Sequence, residues 1–300
     1  MRLAGLRDQA LHRLMQALPM DACSALGAEL GPWLGQRANP EENARAKALL
    51  RRLQHERDEP AIAKELRLLW RNIGRTFAEF SVLPRIIRER RVTISAEDVL
   101  WRITPNPRPL IVCFVHLGNW EALGATLAQH PAFITHRNMS AVVAPPTDPA
   151  RAAIAARLRG MLPVEHLPVR PLVWRAVMAR LRRPFGTVWL AVDGAEGGVD
   201  TPLFGRPARP DSTLGKIIRV AASTRALVLP VYCERLAGAN FVGHVLEPYE
   251  PPAAIDPSGL VREVTLLDAV FDAPVRRLVS QWYMAIEFPS EAAFAANERP

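Results

Sequence analysis

Apolar and polar positions follow two different periods along this chain. Up to about residue 95 the period is helical. At the start, Leu3, Leu6, Leu11, Leu14, Met15 and Leu18 are interleaved with Arg2, Arg7, His12 and Arg13, the pattern of an amphipathic helix. Such a helix can lie in a membrane interface with its basic residues at the headgroups. It can equally pack its apolar stripe on the protein's own core. Two more helical stretches follow, over 40–55 and 61–80, the second with Leu66, Leu69, Trp70, Ile73 and Phe77 at helical spacing. From about residue 108 short apolar runs alternate with helical stretches. The runs predict strands at 110–115, 141–144, 186–192, 226–233 and 241–246. Between and after them the pattern predicts helices at 120–129, 149–158, 171–182, 211–223 and 260–286. This alternation implies an α/β fold, a mixed and mostly parallel sheet flanked by helices, with a helical N-terminal section. Proline-rich pieces at 105–109, 145–149 and 248–252 read as loops rather than linkers. Residues 1–300 are therefore expected to form one domain, with 1–95 as its helical section and 108–288 as its α/β core.

Composition narrows the function classes. The net charge of +8 points to an anionic partner: nucleic acid, anionic lipid, a phosphorylated substrate or an acidic protein. Lys47, Lys64 and Lys216 are the only lysines. Arginine suits bidentate phosphate recognition; codon bias in a G- and C-rich genome is the plainer reading of this skew. The basic cluster Arg85, Arg88, Arg90, Arg91 is a solvated face or a phosphate-facing one. Cys23, Cys113 and Cys233 are far apart and form no CxxC, which argues against a disulfide framework and a zinc site. A reducing compartment is therefore expected, and no metal or redox cofactor. No secretory apolar core precedes a cleavage site, and no window reaches the length of a spanning helix. Serine-hydrolase elbow, zinc-protease, Walker and dinucleotide-binding motifs are all missing.

Candidate chemistry sits at strand ends. The run Leu110–Val115 leads into His116-Leu117-Gly118-Asn119-Trp120-Glu121. Ends of this kind open onto a crevice in α/β sheets. In one continuous helix His116 and Glu121 would lie on different faces. If the chain turns at Gly118-Asn119 and a helix starts near Trp120, they can meet, with Asn119 as N-cap. Histidine then supplies a proton acceptor near neutral pH and the carboxylate orients it. The plainer alternative is a satisfied core histidine beside a glutamate that compensates the helix dipole. A second block begins at the end of another apolar strand: Asp193-Gly194, then Gly197-Gly198, then Pro202-Leu203-Phe204-Gly205-Arg206-Pro207-Ala208. There the glycines allow close approach of a ligand and Arg206 offers an anion clamp. An ordinary polar loop with glycine turns is the alternative.

The first block resembles the HxxxxE motif, in its His-x-Gly-Asn-Trp-Glu form, of the Kdo2-lipid A acyltransferase family, the lauroyl and myristoyl transferases of lipid A synthesis. That family lies within the lysophospholipid acyltransferase superfamily. Asp193 with 202–208 resembles its second block, Ala226–Val231 its following strand and Gln281-Trp282-Tyr283 its C-terminal signature. Departures are Gly194 in place of the family's glutamine, an insertion at Pro210-Asp211, and Ala285–Phe288 where a basic pair is usual. An amphipathic segment also stands where the family commonly has a membrane-spanning helix.

The resemblance implies an acyltransferase acting on a thioester of acyl carrier protein or coenzyme A. The acceptor would be a hydroxyl of a lipid A precursor or similar anionic glycolipid. His116 would be the general base and Glu121 the residue that orients it. Amides near Gly118 and Asn119 would hold the oxyanion. Arg157 or Arg159 would match a family arginine near the active site. Asp193, Gly205 and Arg206 would shape a substrate site. The expected place of work is the cytoplasmic face of the bacterial inner membrane, peripheral or monotopic. Alternatives are the same chemistry on a lysophospholipid, a mannoside or an amino-acid lipid, or a non-catalytic basic protein that binds membrane or nucleic acid. The last explains the charge but not two motif blocks in family order, so no nucleic-acid partner is expected.

Overall fold

A computed structural model describes residues 2–194 and 199–289. The glycines at 197 and 198 lie outside them, as do the side chains before Asp8. Five helices open the chain: α1 Arg2–Ala17, α2 Met20–Ala38, α3 Pro40–Leu53, α4 Glu59–Phe80 and α5 Leu83–Arg88. Strand β1 Val92–Ser95 and α6 Glu97–Ile103 precede β2 Leu110–Phe114, α7 Trp120–Ala128, α8 Pro131–His136 and β3 Asn138–Val143. Then come α9 Pro149–Arg159, β4 Glu165–Pro168, α10 Val173–Leu181 and β5 Gly186–Ala191. The chain continues through α11 Thr213–Thr224, β6 Leu227–Arg235, β7 Phe241–Val245 and α12 Pro257–Arg277, and closes with 3₁₀ turns at Val279–Gln281 and Tyr283–Ile286.

The sheet order among the described residues is β1-β7-β6-β2-β5-β3-β4. Only the β6–β7 hairpin is antiparallel. The central strands are buried on both faces, as continuous runs such as Leu110-Ile111-Val112-Cys113 require. Ile111, Cys113, Val188 and Leu190 face a core shared with α10, α11 and α12. Leu110, Val112, Trp189 and Leu229 face the one shared with α7 and α8. The fold is thus the α/β class expected, with the mostly parallel sheet.

Local chemistry sets the helix starts. Asp58, Asn119, Asp148, Ser212 and Asp256 each accept a backbone N–H in the first turn of the following helix. α2 and α4 touch backbone to backbone, because a Cβ at Gly27 would sit 2.5 Å from Gly74 O and one at Gly31 2.1 Å from Trp70 O. α1 docks one face on the protein: Met15 is buried, His12 Nδ1 meets Ser81 Oγ at 2.8 Å, and Arg151 donates to Asp8. Leu11 and Leu14 remain exposed. The basic cluster splits: Arg85 donates to Gln16 O and Arg91 to Glu89 and Asn240, while Arg88 and Arg90 are exposed.

The structure corrects the predicted elements. β1 lies inside the section read as helical, α6, α8 and β4 stand where no element is predicted, and the closing helix stops at Arg277. Both β1 and β4 are four-residue edge strands, too short to show a period, and they form by pairing with β7 and β3.

Candidate active site

β2 and β5 are neighbours, with Phe114 opposite Ala191. Two residues further on, His116 and Asp193 again stand opposite each other, just past the carboxyl ends of the strands. Asp193 is fully buried. Its Oδ1 lies 2.7 Å from His116 Nδ1, and its Oδ2 accepts the His116 backbone N–H at 2.7 Å and the Trp282 indole N–H at 2.8 Å. A carboxylate only accepts, so Nδ1 carries the proton and Nε2 keeps its lone pair. The ring is packed edge-on against Trp120 at 4.9 Å and near Phe114 and Tyr283. Burial disfavours the imidazolium, but the charge and hydrogen bond of Asp193, with help from Glu121, outweigh it and raise the His116 pKa above 6.5. A histidine held this way accepts a proton at Nε2 and is stabilised once charged.

His116 and Glu121 line a cavity of about 870 Å³ that wraps over the carboxyl ends of β3 and β5. One side, toward α7, is formed by Leu123, Gly124, Ala125, Ala141 and Trp189. The other, toward α10, is formed by Val142, Trp174, Val177 and Leu190. Arg159, Asp200, Arg209, Asp211 and Lys216 give the same cavity a charged portion. A long apolar tail with a charged head fits such a lining.

A family model for the bacterial lipid A biosynthesis acyltransferases matches residues 9–251. The chain belongs to this family. Among solved structures, the 1-acyl-sn-glycerophosphate acyltransferase PlsC of Thermotoga maritima is similar at 16% identity and a TM-score of 0.39, over 72% of this chain and 88% of that one. No curated protein matches. Among the described residues of this acyltransferase, no helix is long and apolar enough to cross a membrane, and no cluster of His, Cys, Asp or Glu is placed to hold a metal ion.

Several expected roles change with the geometry. The carboxylate hydrogen-bonded to His116 is Asp193, not Glu121, and Asp193 is too buried to shape a substrate surface. Glu121 instead forms a two-pronged pair with Arg159, so its influence on His116 is through charge. Arg159 is on the cavity wall, whereas Arg157 is exposed on the side of α9 that faces His12 of α1. Arg206 is no anion clamp: its guanidinium donates to the carbonyls of Val199, Asp200, Pro202 and Leu203 and lies over the Phe288 ring. Burial lowers its pKa to about 10. Gly205 takes a left-handed backbone, φ 87°, in the same turn and does not line the cavity. Gly118 donates its N–H to Gln281 O and so cannot offer it to an oxyanion. Its φ of 60° and the approach of Cys233 O, 2.6 Å from where a Cβ would be, require glycine there. Asn119 is fully buried, with Oδ1 capping α7 and Nδ2 donating to Glu79.

The turn itself is braced from two sides. The Gln281-Trp282-Tyr283 segment supplies Gln281 O to Gly118, the Trp282 indole to Asp193, and the Tyr283 N–H to His116 O. Residue chemistry alone gave no sign of this bracing. Beneath it lies Glu79, fully buried, accepting from Ser24 at 2.6 Å, Asn119 at 2.8 Å and both terminal nitrogens of Arg235. Arg235 also donates to Thr76, whose hydroxyl donates to Gly118 O. Removing one partner leaves a buried charge uncompensated. Arg235→Ala is expected to lower the unfolding free energy by about 3–5 kcal/mol in denaturant melts. A loss under about 1 kcal/mol would show that the pair does not hold the turn.

Proposed function

We propose that this acyltransferase moves a fatty acyl chain from a thioester of acyl carrier protein or coenzyme A to a hydroxyl of a lipid A precursor or similar anionic glycolipid. The observation that carries the reading is the His116–Asp193 pair, its Nε2 left free, on the wall of a largely apolar cavity. Nε2 takes the proton of the acceptor hydroxyl, whose oxygen attacks the thioester carbonyl. The leaving thiolate then receives that proton as the tetrahedral intermediate collapses. Asp193 holds the ring and stabilises the imidazolium. Amides of Leu117 and Gly118 are already donated to Val115 O and Gln281 O, so the positive amino end of α7 is the group assigned to the oxyanion. Arg159, held by Glu121 on the cavity wall, is assigned to the charged part of a substrate.

The +8 charge favours both donors, which are anionic. The place of work proposed with this acceptor is the cytoplasmic surface of the inner membrane; the exposed Val169 and Leu172 on the cavity rim suit contact with lipid. Mass spectrometry of lipids from a strain lacking this chain tests the acceptor. Lipid A is expected to lose one secondary acyl chain, restored by the wild-type protein. Unchanged lipid A, with a chain missing from a phospholipid, mannoside or amino-acid lipid, would overturn the acceptor while keeping acyl transfer.

A further inference from the structure

We propose that Gly124 sets the width of the acyl channel, and so selects against bulk and for long chains; the inference rests on the acyl-transfer reading above. Gly124 lies inside α7, where glycine is a poorer helix former than alanine. Five other helical glycines have a packing reason. Gly27, Gly31 and Gly74 meet backbone across the α2–α4 contact, Gly35 faces the Trp70 ring, and Gly215 sits against Pro210 O. A Cβ at Gly124 would meet nothing within 4 Å, and its φ is not in the left-handed region. Neither backbone conformation nor packing requires a glycine there. What it leaves is empty space, and that space belongs to the cavity, of which Gly124 is a wall residue.

Its position fits a channel running from the reacting centre. Gly124 is one turn beyond Glu121 on the same face of α7, and about 6 Å along the helix axis from Trp120, which packs on His116. Its neighbours on this wall, Ala125 and Ala141, are also small, and Trp189 faces them. A chain whose carbonyl is at His116 therefore passes Gly124 several methylenes down. A leucine there would occupy the path of the chain, not the carbonyl site.

Binding of saturated acyl-CoA probes of 4 to 16 carbons, read by tryptophan fluorescence, tests this independently of turnover. Wild-type affinity is expected to rise by up to about fourfold per methylene until the channel is filled. In Gly124→Leu the rise should stop at a shorter chain, with at least a tenfold loss for 12 to 16 carbons and no more than about twofold for 4 to 6. Gly124→Ala should shift the profile slightly and raise Tm by about 2 °C, because nothing opposes the added methyl. An equal loss at every length, or an unchanged profile in Gly124→Leu, overturns the assignment, as does a wild-type affinity indifferent to length. Length-dependent binding without any thioester turnover would refute the functional reading and leave the channel intact.

Discussion

His116→Asn is expected to lower acyl transfer by about 10³-fold, roughly 4 kcal/mol of transition-state stabilisation, while the protein stays folded. Asparagine is a sharper choice than alanine. In His116→Ala the Oδ1 of a fully buried Asp193 loses its partner, and an unsatisfied buried acceptor costs about 1–3 kcal/mol of stability. An asparagine amide can donate to Asp193 from nearly the position of Nδ1, and the backbone N–H and Trp282 bonds to Oδ2 persist. What disappears is the basic nitrogen facing the cavity. Thioester-to-lipid transfer, measured beside a melting curve, separates the two effects. Retention of more than a tenth of wild-type turnover in a folded His116→Asn protein would remove His116 from the role of base.

The strands that carry the site were legible in the chain because they are buried on both faces. Leu110–Phe114 and Gly186–Ala191 read as apolar runs with no other explanation, and both His116 and Asp193 stood out at their ends. Their partnership was not legible. The two residues are separated by 77 positions and meet because β5, not a strand next in sequence, pairs with β2. Local spacing offered Glu121 instead, and Glu121 turned out to be held by Arg159 across 38 positions. Arg206 misled for a related reason: a guanidinium in a glycine-rich loop looks the same in sequence whether it waits for an anion or ties together the carbonyls of that loop. The small edge strands β1 and β4 had no period to read, since pairing with a neighbour rather than their own residues makes them strands.

Asp193→Asn carries the second large effect, about 10²–10⁴-fold in kcat, and it tests whether Asp193 acts by positioning. Oδ2 accepts two donors, so in the variant the amide oxygen stays there and the amide nitrogen faces His116 Nδ1. Two donors cannot face each other, so the ring must move its proton to Nε2. The lone pair then points at Asn in place of the acceptor hydroxyl, and the imidazolium loses its counter-charge. The pH profile distinguishes this from simple damage. A base works deprotonated, so kcat/KM falls as pH falls through its pKa, and because the His116 pKa is raised the wild-type limb should lie above 6.5. Without the Asp193 charge, burial is opposed only by Glu121, and the limb of the residual activity should move to lower pH. Glu121→Gln should also move the limb down, but with a loss nearer tenfold, since the tautomer is untouched. Nitrogen-15 NMR of His116 reads the tautomer directly. A ring still protonated at Nδ1 in the Asp193→Asn protein, or an unmoved limb, would mean that the buried carboxylate supports only the fold.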